Sequence, residues 1–168
     1  SPDVRHYVEA IEKSIVHYGS STGFFGKKMF SQGPEFLSAA VLYENSVIES
    51  YDPKYQLPFP IVAIYPQEGT FWSDHPTGIV EREWVTAEHR QAAKVYMDYL
   101  LAKPQQEKAI LYGFRPADNN IPLTAPFDEA HGVNPKEPST LLEVPPAYII
   151  REILTLWNER KKHTDVVL

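Results

Sequence analysis

Fifteen of the 168 residues are proline, five of them in 53–76 and seven in 116–146, against a usual frequency of ~5%. Each proline fixes φ and removes a backbone donor, so neither stretch can be the interior of a helix or a central strand. The chain is 43% hydrophobic and 12% aromatic, too rich in core formers for disorder. The prolines must therefore punctuate a folded domain, where a fixed φ lowers the entropy lost on ordering irregular chain. A chain of this length buries roughly 70% of its unfolded surface, enough for one domain or one and a fraction.

Several function classes fall away. The net charge is −6 and the one basic cluster, Arg160-Lys161-Lys162, closes an expected helix, where cations suit the helix dipole. A nucleic-acid binder held by phosphate contacts needs more than that. No apolar run approaches the ~18 residues of a membrane span. With no cysteine, disulfide scaffolds, thiol nucleophiles and thiolate metal sites are excluded, while the compartment stays open. Ser1-Pro2 runs straight into a helical pattern without a signal peptide, and Asp165–Leu168 reads as a strand just begun, so the chain is expected to be a segment of a longer protein.

Helical spacing predicts a helix over 3–18, ended by Gly19, and a second over about 22–31, with N-cap candidates in Ser20-Ser21-Thr22 and a stop at Gly33-Pro34. Ser38–Leu42 and Ile61–Tyr65 read as short buried strands, Thr77–Glu81 as a third, and Ser46–Tyr51 as a helical turn. Thr86 caps the strongest helix, about 87–102, with Ala92, Ala93, Tyr96, Tyr99 and Leu100 expected inward. Pro104 opens a short helix ending at Gly113, and 114–144 is irregular. Pro145-Pro146 starts a last helix, 146–161, with Tyr148, Ile149, Ile153, Leu154 and Trp157 inward. Helices alternating with buried strands make an α/β pattern, whose ligands sit beyond strand ends near helix N-termini.

Two places meet that rule. Ser20-Ser21-Thr22 reads either as a ligand-oxygen site or as an ordinary helix cap; no GxxxxGK[ST] makes it a nucleotide loop. Tyr43-Glu44-Asn45 follows the first apolar run, and Glu44 reads as a ligand contact, as the partner of a lysine, or as a solvated charge. Asp74-His75 with His17, His89 or His131 lacks HExxH and any two His three or four apart on one helix. A Ser21, His17, Asp74 triad lacks a GxSxG elbow. Neither a metal site nor an enzyme is expected, and no cofactor. Trp84 and Trp157 read as core, and Trp72, in a polar loop, as a stacking surface for a ligand.

Four stretches carry a resemblance: HYGSSTGFF (17–25), GPEFLSAAVLYENSVIES (33–50), IVAIYPQEGTFWSDHPTGIV (61–80) and LYGFRPAD (111–118). Together they resemble bacterial extracellular solute-binding proteins, in the branch where the solute-binding region precedes a von Willebrand factor A domain. The closing KKHTDVVL is similar to the junction where that A domain opens. Its metal-binding DxSGS motif is absent, so its metal site does not carry over.

The resemblance implies a type II periplasmic-binding fold, α/β in class: one lobe plus the returning helical segment of the other, with solute held between two lobes. Residues 1–76 would form most of the second lobe. Residues 77–168 would supply the hinge return, the helices and the proline-rich wrap of the first, and end where a following domain starts. It implies a non-catalytic extracytoplasmic domain that captures a small polar solute for transport or sensing. The alternative is a protein-interaction module that serves the neighbouring A domain. Ser20, Ser21, Thr22, Tyr43, Glu44 and Asn45 would contact the solute, with Thr70 and Trp72 near the hinge. Implied partners are a membrane transporter or the A domain, and no nucleic acid. The implied location is extracellular or cell-envelope, either periplasmic or as a membrane-anchored lipoprotein. A partial fold exposes apolar surface, so a dimer or domain swap is also expected.

Overall fold

The computed structural model describes the backbone of residues 2–160 and 166–167. The chain forms two compact units: Ser1–Leu42 with Leu142–Leu168, and Tyr43–Leu141. The resemblance divides the chain near residue 76 instead; that division concerns lobes of a whole protein, whereas these units reflect compactness within this chain. In the second unit, residues beyond 77 fold back onto 43–65, as the pairing of Ala63 N–H with the Gly132 carbonyl at 2.7 Å shows.

In the first unit, α1 (Pro2–Ser14) packs on α6 (Ala147–Arg160). The helix expected to run to residue 18 stops at Ser14, because Tyr18-Gly19 forms β1 and pairs in parallel with β2, Val166–Val167. The Tyr18 hydroxyl fastens this corner: it donates to Glu12 at 2.5 Å and accepts from the Trp157 indole N–H at 3.2 Å. Of the strand expected at Asp165–Leu168, Val166–Val167 is the described part; Asp165 and Leu168 lie outside the described residues. α2 (Thr22–Gln32) begins at Ser21 and ends at Gly33, whose φ of 80° admits glycine readily. Phe25, Met29, Phe30, Leu37 and Leu156 are this unit's buried apolar residues.

In the second unit, α3 (Glu44–Ser50) buries Ser46, Val47, Ile48 and Ser50. Two further helices follow, α4 (Ala87–Leu101) and α5 (Lys103–Ile110), which pack together. Thr86 caps α4 as expected, in a reciprocal box with His89. Ile110 and Phe127 are almost fully buried and anchor a core that includes Val47, Ile48, Ile61, Val85, Ile121 and Val133. Residues 111–141 hold one 3₁₀ turn, Glu129–His131, and cis peptides before Pro126 and Pro138.

Three expected strands are not strands among the described residues. Ser38–Leu42 is irregular, with Val41 99% exposed. Thr77–Glu81 is exposed apart from a half-buried Ile79. Ile61–Tyr65 keeps a strand's alternation, Ile61 buried, Val62 and Ile64 exposed, Ala63 and Tyr65 half-buried, but has no ladder partner. Apolar runs become strands only when a neighbour satisfies their backbone groups. Two helices also depart from their expected inward faces. Ala92, Tyr96 and Tyr99 are exposed on α4, and Tyr148, Ile153 and Leu154 on α6, where Leu156 is buried instead. Trp84, expected in the core, is 67% exposed. Tryptophan's large apolar ring, here edge-on to His89, does not by itself fix its burial.

Candidate functional site

The second unit gathers side chains far apart in sequence around Arg115. Gly113 makes this possible. Its φ is +80°, and a Cβ there would lie 3.0 Å from the Asn45 Cα and Cβ. Glycine therefore lets residues 113–115 lie directly on the first turn of α3. Glu44, the first residue of that helix, then receives Arg115 Nε and Nη2, both at 2.8 Å. This planar two-pronged pairing is the strong form of an ion pair. The side chains are only 14% and 20% exposed, Arg115 and Glu44 respectively.

The rest of the cluster satisfies the remaining polar groups. Tyr65 O–H donates to Glu44 and accepts from Asn134 N–H at 3.3 Å. Arg115 Nη2 also donates to the carbonyls of Glu137 and Asn134. The guanidinium carbon lies 5.6 Å from the Trp72 ring centroid and 5.3 Å from that of Phe127, within cation–π range of both. Phe127 is 2% exposed and Trp72 48%, so the arrangement runs from core to surface. Burial lowers the Arg115 pKa, but the hydrogen bond and charge of Glu44, together with Tyr65, outweigh it and the net direction is up.

Burial, and then the bond to Glu44, push the Tyr65 hydroxyl from its ordinary 10 up to about 12. The fold therefore favours the neutral phenol. Its contribution is complete below pH 10 and is lost as the pH rises through 12. Denaturant melts between pH 9 and 12 should show stability falling in that window, and Tyr65→Phe should flatten the fall. Tyr18 is also raised, by burial and then Glu12, and Tyr55 by its bond to Glu49 and then burial. Both persist in the variant, so the difference isolates Tyr65. An unchanged pH profile would count against the hydrogen bond.

Five of the expected site residues belong to this unit. Tyr43, the residue before α3, carries a hydroxyl 3.4 Å from that of Ser73. Glu44, with the partner of a lysine among its three sequence readings, pairs with an arginine instead, Arg115, which sequence reasoning did not single out although LYGFRPAD contains it. Asn45 packs under Gly113. Thr70 bridges in parallel to Leu141 and donates its N–H to the Thr140 carbonyl at 3.1 Å. Trp72 is about half exposed, with Arg115 against its ring.

Ser20, Ser21 and Thr22 are exposed residues of the first unit. Ser21 caps α2 by accepting from Phe24 N–H at 3.4 Å, and Gly19 lies so close to Phe25 that a Cβ would fall 2.9 Å from its ring.

The other candidate chemistry finds separate places. His17 stacks on Phe36 at 4.3 Å and its Nδ1 has no hydrogen-bond partner. His75 meets Phe114 edge-on, and His131 pairs with Asp128 at 2.7 Å. Among the described residues no three His, Asp or Glu side chains are grouped as metal ligands, and no helix is long and apolar enough to cross a membrane. A cleft of about 350 Å³ runs along 50–61, lined by residues including Tyr51, Leu57 and Phe59; none of the expected site residues lines it. No protein-family model, curated protein or solved structure matches the chain.

Proposed function

We propose that the chain is a non-catalytic solute-binding domain of the extracellular or cell-envelope type, built on a type II periplasmic-binding-like α/β fold, that captures a small polar solute for transport or sensing. One observation carries this reading: Glu44 and Trp72, singled out from separate stretches of sequence, meet at one guanidinium. That convergence leaves an exposed indole over a closed ion pair, and the residues flanking Glu44 and Trp72 in the chain, Tyr43 and Ser73, bring their hydroxyls within 3.4 Å of each other. An exposed aromatic face on a stretch of chain that also carries neutral hydrogen-bonding groups suits solute recognition. Asn45 and Thr70 support the wall of this face from within the same unit.

The test is a thermal-shift screen of the chain with amino acids, sugars, polyamines and oxyanions. A solute at 100 times its dissociation constant stabilises by about 2.7 kcal/mol, which raises Tm by about 5–10 °C in a chain of this size. Silence across all four panels would sink the reading.

A second reading, a protein-interaction module associated with an A domain, is favoured by α4. Ala92, Val95, Tyr96 and Tyr99 form an exposed apolar stripe at i, i+3, i+4 and i+7. A chain that answers no solute and self-associates in light scattering would point to this module.

A further inference from the structure

We infer that the solute face at Trp72 takes an uncharged saccharide ring, not a cation or an oxyanion; the inference rests on the solute-binding reading above. Trp72 is 48% exposed although the Arg115 guanidinium occupies one side of its ring at 5.6 Å. Arg115 cannot drift, because Glu44 and the carbonyls of Glu137 and Asn134 hold it from several directions. A held guanidinium against one face of the indole favours one ring orientation and leaves the other face to a ligand, which lowers the entropy lost on binding.

The charge at this place is already spent. Arg115 and Glu44 neutralise one another through two bonds of 2.8 Å, so neither offers an unmatched charge to an ionic ligand. A second cation stacked on the outer side of the indole would share the ring's electron density with Arg115 and face a like charge across it. A sugar ring needs neither charge: its C–H face lies on the aromatic surface and its hydroxyls seek neutral donors and acceptors. Tyr43 and Ser73 supply two hydroxyls 3.4 Å apart, and Tyr43 is itself half exposed. The nearest chain neighbours with ionisable side chains are Asp74 and His75, both exposed; they make the ionic panels a necessary arm of the test.

The experiment is isothermal titration of the chain with maltose, cellobiose and chitobiose, beside spermidine, glutamate and sulfate. At least one disaccharide should bind, Trp72→Ala should weaken it about tenfold or more, and Trp72→Phe should keep affinity within a few-fold. The exposed position of Trp72 makes both variants foldable, and their thermal melts verify it. Disaccharide binding undiminished in Trp72→Ala overturns the assignment of the surface. Binding of spermidine, glutamate or sulfate without any disaccharide overturns the ligand class and leaves solute binding standing. No response to any of the six, with none in the four-panel screen, overturns both.

Discussion

Arg115→Met should lower the Tm of the chain by about 6–12 °C. Removing one member of a buried ion pair strands the other, at a cost of about 3–5 kcal/mol. Glu44 keeps 20% of its side-chain exposure, so the lower end, about 3 kcal/mol, applies; each kcal/mol moves Tm by about 2–4 °C in a chain of this length. Methionine retains much of the apolar contact with Phe127 and Trp72, so the loss reports mainly on charge and hydrogen bonding. The Glu137 carbonyl loses its guanidinium donor in the same step, while the Asn134 carbonyl keeps the Glu137 N–H at 3.1 Å. Adding Glu44→Gln to Arg115→Met should recover a measurable part of the loss, because no carboxylate is then left without its counter-ion. Circular-dichroism melts of the two single variants and the double variant close the cycle. If the double variant is no more stable than Arg115→Met alone, the pair is not what holds residues 113–137 to α3.

Gly132→Ala should be comparably severe, about 3 kcal/mol or more. Its φ is +72°, which costs an L-residue roughly 1–2 kcal/mol before any contact is counted. The added Cβ would fall 2.3 Å from the Ile61 carbonyl oxygen and 2.8 Å from the Tyr51 hydroxyl. The first of these is backbone and cannot step aside as a side-chain tip does. Relief requires moving the 61–63 segment, and with it the hydrogen bonds from Ala63 N–H to Gly132 and from Tyr51 to Ile61. Gly113→Ala makes a graded comparison: a similar φ of +80°, but closest contacts of 3.0 Å. Denaturant melts should rank Gly132→Ala below Gly113→Ala, and the reverse order would contradict the packing of 132 on 61.

Helix starts, and the stop at Gly33, were the legible part of this fold, whereas Gly19 did not mark the end of α1. Thr86, Ser21, Pro104 and Gly33 act through backbone geometry within one turn, so their effect can be read locally. The apolar runs 38–42 and 61–65 were misleading, because a strand is a property of two segments and the run shows only one. The site divided along the same line. Trp72 could be singled out because a tryptophan in a polar loop has no local reason to be there. Arg115 could not, since its importance comes from Glu44, 71 residues away, and from a glycine whose missing Cβ lets the two segments touch. Nothing in FRPAD distinguishes that arginine from a solvated one.

Helix α4 has a further consequence. Ala93, Met97 and Leu100 are half-buried along one side, while Ala92, Val95, Tyr96 and Tyr99 lie exposed along the other. A helix with two apolar flanks has the character of a middle layer. Two of the four residues on the outer flank are tyrosines, whose phenol oxygens tolerate water where a leucine or isoleucine would not. The flank can therefore stand in water without being a wholly oily surface, and a partner docking there under the interaction-module proposal would suit reversible contact better than permanent burial.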